Sequence, residues 1–328
     1  MLKFALCFMN ESTDYPDFSN ETINAASARR RRRQHWLADG CFLLITFIWG
    51  FSFVVVKNAL REVPVFYFNA LRFGVATVVL IPFTFRQWRT WKPSLLPGSI
   101  LAMFLYVGFA FQSAGLQYTT PSKSAFITSS AAIGVPVFLF LFFRKKSDIS
   151  ALLGVLVAFA GLYLLSVPSN NFNLNHGDTL TAICAAAWSF HIIFTGRFSP
   201  LYPVAALATF QIVLAGIGFW VAALGSGQIG AIPRTAVPAM LYGGLLATSL
   251  CFGLQLWAQR HTSPTRAGLL LTTEPLFASA TSYFWTGERL TGREAIGGAL
   301  IVAGVILAEV GYQWRFQHGR STGQAIDL

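Results

Sequence analysis

The sequence predicts an all-α integral membrane protein whose ten transmembrane helices form two inverted repeats of five. Three observations predict it. Only 11% of the 328 residues are charged and 54% are hydrophobic, against roughly 25% charged in an ordinary soluble domain, so the chain lacks the polar side chains to cover a water-facing surface. Ten apolar runs, each near the roughly 20 residues that cross a bilayer, are joined by short polar connections. The phrase TTPSKSAF at Thr119–Phe126 also returns, altered, as TSPTRAGL at Thr262–Leu269, 143 residues later.

The runs lie at about 37–57, 65–85, 97–117, 121–143, 150–167, 178–197, 203–223, 237–258, 264–285 and 293–312. Residues 1–36 read as a disordered tail ending in the run Arg29–Arg33; its apolar opening LKFALCFM is short for a signal peptide and no small-residue cleavage site follows closely. Residues 37–167 make the first repeat, 178–312 the second, and 313–328 a polar C-terminal tail. No connection is large enough to hold a soluble domain.

The net charge of +11 does not mark a nucleic-acid surface, because it sits between apolar runs and in the arginine block. With the tail inside, seventeen of the 24 Lys and Arg fall on the tail's side, six on the other and Arg72 within a helix. That bias places both termini in the cytoplasm of a multi-pass protein in the plasma (inner) membrane. Cys7, Cys41, Cys184 and Cys251 form no metal-like cluster and read as small apolar residues.

The repeat extends beyond the quoted phrase. At the same offset LLGVLVAFAGLYLL (152–165) lies over AIGGALIVAGVILA (295–308), matching Gly154 to Gly297 and Gly161 to Gly304. Two glycines seven apart are two helical turns apart and make one small-residue face for close helix contact. WGFSFVVVK at Trp49 resembles WSFHIIFTG at Trp188 with an offset of 139. Because five is odd, a second copy of five helices lies upside down relative to the first, the architecture that secondary transporters use around a midplane site.

These stretches, with FNALRF, GLQYTTPSKSAFITS, LWAQRHTSPTRAGLLLTTEPLFA and GERLTGREAIGGALIVAGVIL, resemble the drug/metabolite transporter superfamily of the EamA-like ten-helix type over about residues 37–312. The resemblance implies movement of a small metabolite, such as export of an amino acid or exchange of a nucleotide sugar. It leaves the solute open.

Several polar residues within the runs are candidates for the site. Glu274 lies ten residues into its run and precedes Pro275; a carboxyl at that depth is costly unless paired, protonated or facing water. It suits proton coupling or an ammonium ligand, against a neutral Glu held for structure, and Pro275 is expected to kink the helix. Arg72 is a second intramembrane charge that would answer a carboxylate, or pin its helix to a carbonyl. His191 titrates near neutrality or packs as a hydrogen-bonded residue. Gln112, Gln255 and Ser52, with Gln211, Asn69 and Thr128, are helix-to-helix glue or cavity polar groups, and Trp49, Trp188 and Tyr283 would line such a cavity with apolar faces.

Thr120-Pro121 and Ser263-Pro264 fit capped helix starts. Lys123 and Arg266, just beyond, are gate candidates for anionic groups, against interfacial anchors that snorkel. The sequence implies no cofactor, no metal and no enzymatic role: it has no HExxH, no carboxylate cluster and no P-loop. The expected partners are a small-molecule solute with proton coupling and the surrounding lipid, with a homodimer as a further expectation. A membrane enzyme and a channel or receptor are the rival classes.

Overall fold

The computed structural model of the chain describes residues 21–85, 91–166, 175–286 and 291–318. Every regular element among them is helical. A backbone in lipid has to satisfy its own N–H and C=O groups, and a helix does so within one segment. Eight helices among the described residues are long and apolar enough to cross a membrane.

Helices α1 (Glu21–Ala59), α2 (Val65–Phe85) and α3 (Trp91–Tyr118) come first. The α1 helix begins inside the stretch read as a disordered tail. Alanine and arginine are good helix formers, and the Ala25–Arg33 segment joins the first apolar run without a breaker. Next come α4 (Pro121–Ser129) and α5 (Ala131–Phe143), separated by Ser130 alone, then α6 (Ile149–Ser166), α7 (His176–Phe198) and α8 (Val204–Gly225). The following rod starts with a 3₁₀ turn at Arg234–Ala236 and α9 (Val237–Leu241), passes through a π-helical segment at Tyr242–Leu250, and ends in α10 (Cys251–Ala258). The last two apolar runs are α11 (Pro264–Leu271) with α12 (Glu274–Thr286), and α13 (Gly292–His318).

The kink expected at Pro275 is instead a break just before it. Helix α11 stops at Leu271, and α12 starts at Glu274 with Pro275 in its first turn. Proline has no N–H for the Leu271 carbonyl, and its fixed φ suits a helix start. The Thr273 hydroxyl completes the break by donating to the Leu270 carbonyl at 2.8 Å. In the first half the Ser130 hydroxyl donates to the Ile127 carbonyl at 2.6 Å. Ser130 and Thr273, like Ile127 and Leu270, are 143 apart, so both halves break the same helix with the same bond.

Helix packing repeats across the halves as well. Helices α4 and α5 lie on α7, while α11 and α12 lie on α1; α3 lies on α7, while the π segment and α10 lie on α1. Helix α6 packs along α13, and a Cβ added at Gly161 would fall 2.5 Å from the Gly297 carbonyl oxygen, one at Gly154 2.6 Å from that of Gly304. The first glycine of one copy therefore meets the second glycine of the other, and α6 and α13 run antiparallel with their backbones in contact. Cys41, Cys184 and Cys251 are buried free thiols, as small apolar residues should be.

Candidate functional site

Helices α1, α2, α3, α4, α5, α7, α11 and α12 enclose a cavity of about 50 Å³. By that measure it has room for a few waters. Its lining combines Trp49, Trp188 and Phe109 with Ser52, Gln112, Ser113 and Thr128, and it includes two charged residues, Arg72 and Glu274.

Each half breaks its helix next to this cavity. Ser129, Ala131 and Ala132 flank one break and Leu271 and Glu274 the other, and all line the cavity. Glu274 is buried in the first turn of α12, where the helix dipole complements a carboxylate. Gly50, next to Trp49, lets α1 lie against that turn: a Cβ there would be 2.8 Å from the Glu274 carbonyl oxygen.

Arg72 is buried on α2. Its Nε donates to Thr248 Oγ1 at 2.8 Å and to the Gly243 carbonyl at 3.2 Å, and its Cζ lies 4.4 Å over the Phe109 ring. Both acceptors belong to the π segment, as does the Ala247 carbonyl that accepts from Trp49 Nε1 at 2.8 Å. A π turn bonds to the fifth residue rather than the fourth, which takes carbonyls off the α-helical register, and here those carbonyls receive two cavity side chains. Gly244 permits the approach of α2, since a Cβ there would lie 2.8 Å from the Arg72 carbonyl oxygen.

The rings form one cluster. Trp49 and Trp188 are 5.9 Å apart between centroids, Phe109 meets Trp188 edge-on at 5.3 Å, and Phe252 stacks on Trp188 at 5.8 Å. A family model described as the EamA-like transporter family matches this chain twice, over residues 36–167 and 175–309.

The chain belongs to the EamA-like transporter family.

Its relatives agree with that membership. A protein from Archaeoglobus fulgidus called an uncharacterized transporter is 32% identical over 276 residues, covering 83% of this EamA-like chain and 86% of its own. A probable amino-acid metabolite efflux pump of Escherichia coli K12 is 27% identical, covering 83% and 95%. A solved crystal structure shares the fold at a TM-score of 0.70 and 18% identity, covering 83% of this chain and 96% of its own. The protein is thus a membrane transporter, a multi-pass all-α member of the EamA family.

Of the residues singled out in this EamA-like sequence, the cavity brings together Glu274, Trp49, Trp188, Arg72, Gln112, Ser52 and Thr128. Gln112 reaches Thr128 Oγ1 at 3.4 Å, and the Ser52 hydroxyl donates to its own helix at the Trp49 carbonyl, 2.7 Å away. His191 is not among the lining residues. It is buried behind Trp188, its Nε2 2.9 Å from Gln211 Oε1 and its ring edge-on to Trp188 and Phe252. Gln255 is also set back, donating to Gln259 Oε1 at 3.1 Å, while Gln259 in turn ties to the Ile192 carbonyl at 2.8 Å. The side chain of Tyr283 lies outside the described residues.

Lys123 and Arg266 do not snorkel as lone interfacial anchors. Lys123 Nζ is 2.5 Å from Asp178 Oδ2, and Arg266 NH2 is 2.7 Å from Asp39 Oδ2. Their helices start as expected, with Thr120 and Ser263 accepting from the backbone N–H groups of Lys123 and Arg266 at 3.2 and 3.3 Å. Reading the sequence missed Asp39, Asp178, Phe109 and Thr248. The two aspartates carried a signal, since each stands ten residues before Trp49 or Trp188; Phe109 and Thr248 carried none, being an ordinary ring and hydroxyl in apolar runs.

Proposed function

We propose that this transporter exports amino acids or closely related amphipathic solutes across the cell membrane, by alternating access between two inverted five-helix repeats. One observation carries the reading: Arg72 and Glu274 line the same cavity, and among the described residues neither is ion-paired. A solute offering a carboxylate to Arg72 and an ammonium to Glu274 satisfies both at once, where a solute of single charge leaves one buried charge unanswered. Trp49, Trp188 and Phe109 offer the solute's apolar part ring faces, and an ammonium finds further attraction over such faces.

The antiparallel Gly154–Gly304 and Gly161–Gly297 contacts support an inverted arrangement of ten spans, and the Lys/Arg bias supports cytoplasmic termini in the plasma membrane. Glu274 is the group we assign to proton coupling, since it alternates between accepting a proton and holding the ammonium.

The test is uptake of labelled amino acids, amines and nucleotide sugars into proteoliposomes of the purified protein, with and without a pH gradient. Saturable amino-acid flux that follows the gradient is the expected result. Saturable flux of nucleotide sugars with none of amino acids overturns the substrate assignment. Amino-acid flux indifferent to the gradient overturns proton coupling and leaves export standing.

A further inference from the structure

The two cation–aspartate pairs are related to one another by the repeat. Lys123 and Arg266 are 143 apart, and Asp39 and Asp178 are 139 apart, the offset that also separates Trp49 from Trp188. Each pair joins the halves crosswise: Lys123 of the first half binds Asp178, on the first helix of the second, and Arg266 of the second half binds Asp39, on the first helix of the first. Five helices long and apolar enough to span a membrane separate Lys123 from Arg266 along the chain. An odd number of crossings puts the two pairs on opposite faces of the membrane.

Both pairs are built into the protein rather than laid on its surface. The Asp178 side chain is 0% exposed and that of Lys123 17%. Asp178 also accepts from Thr119 Oγ1 at 2.7 Å and from the Asn175 backbone N–H at 2.8 Å. The Arg266 and Asp39 side chains are 10% and 14% exposed.

Geometry connects each pair to the cavity. Ten residues of helix, roughly 15 Å at 1.5 Å per residue, separate Asp39 from Trp49 and Asp178 from Trp188. Lys123 and Arg266 ride on the short helices α4 and α11, whose far ends carry the cavity residues Ser129 and Leu271. Breaking one pair therefore frees a first helix from a broken fourth helix at one face, and both reach the cavity wall. With both pairs closed the cavity keeps about 50 Å³, room for a few waters.

We infer that the Lys123–Asp178 and Arg266–Asp39 pairs are the two latches of the transport cycle, opened one at a time: the cavity opens toward the Lys123 face when Lys123–Asp178 parts while Arg266–Asp39 holds, and toward the Arg266 face in the reverse case. This rests on the alternating-access reading, and it assigns to named residues what closes each face. A closed pair at both faces is the occluded state through which the solute passes.

Hydrogen–deuterium exchange of the full chain in lipid nanodiscs, with no solute added, tests this. Lys123→Gln and Arg266→Gln are the first variants, because Asp178 also takes part in the capping box that starts α7 and its loss would disturb that helix for another reason. Lys123→Gln is expected to raise exchange at 119–128 and 175–182, on the order of tenfold for the loss of a largely buried charge pair, and to lower it at 37–45 and 262–270. Arg266→Gln is expected to do the reverse. The charge swap Arg266→Asp with Asp39→Arg, which leaves the α7 capping box intact, should return exchange at both faces toward wild type. Loosening confined to the substituted face, loosening of both faces together, or no change at either would each overturn the inference, because independent structural ties give those patterns and coupled latches do not. The readout needs no transported solute, so its failure is separate from a failure of the amino-acid flux experiment.

Discussion

Arg72 Nε donates to Thr248 Oγ1 at 2.8 Å, so a charge on α2 is held by a hydroxyl on the π segment of a different helix. The second Nε acceptor, the Gly243 carbonyl at 3.2 Å, lies on the same segment, and the guanidinium carbon lies over the Phe109 ring. Both described hydrogen bonds of this side chain are made at Nε, and Arg72 lines the cavity; its terminal nitrogens are the bidentate end that suits a carboxylate.

Thr248→Val keeps the shape and removes the acceptor. A hydrogen bond to a charged group is worth about 1.5–3 kcal/mol, so KM for the solute should rise on the order of tenfold or more while the amount of folded protein stays the same. Thr248→Ser should recover most of the loss. Initial-rate flux against solute concentration checks it; an unchanged KM in the valine variant would remove Thr248 from the site.

Glu274→Gln keeps the volume and the hydrogen-bonding capacity but deletes the charge. Flux of the natural solute should fall on the order of tenfold or more, as expected for loss of a buried, charge-assisted contact, and the response to a pH gradient should disappear. Pairing the variant with a solute that lacks its amino group gives a two-way cycle. The wild type should discriminate strongly between the solute and its deaminated form, and the variant hardly at all. Equal discrimination in both proteins would show that the ammonium binds elsewhere.

The glycine seam sets a limit on packing. In Gly161→Ala the new methyl would lie 2.5 Å from the Gly297 oxygen and 2.7 Å from the Ile301 nitrogen, both backbone atoms that yield only if the helices part. Overpacking of that kind costs about 1–3 kcal/mol, so thermal unfolding in detergent should move down by several degrees. Gly74→Ala on α2 is the control, since a Cβ there meets nothing within 4 Å and alanine is the better helix former. A Gly161→Ala protein as stable as wild type would mean that α6 and α13 are not in backbone contact.

Much of this arrangement was legible in the residue order because it depends on short-range patterning. Apolar runs of span length, Thr120-Pro121 and Ser263-Pro264 as capped starts, and glycines seven apart at 154/161 and 297/304 each express a local rule of helix chemistry. Depth along a run likewise pointed to Glu274 and Arg72 as charges that needed a reason.

Which face of each helix meets which neighbour is a long-range matter, and there only the tertiary structure decided. His191 and Trp188 are three residues apart on α7, yet the ring of Trp188 lines the cavity and His191 is turned to Gln211 on α8. Lys123 and Arg266 read from the sequence as gate cations or interfacial anchors, with no partner visible, since their aspartates are 55 and 227 residues away in sequence. The break at Thr272–Thr273 needed hydroxyls that bond back into their own helix, and the π turn at Tyr242–Leu250 needed Arg72 and Trp49 as outside donors to its carbonyls. Composition and repeat thus determined the membrane class, the spans and the duplication, because hydrophobicity and helix chemistry act over a few turns of chain. Packing of distant helices brought Arg72, Glu274 and the tryptophans around one cavity and joined each cation to the opposite half, because the cost of a buried charge is met only by groups that folding brings near it.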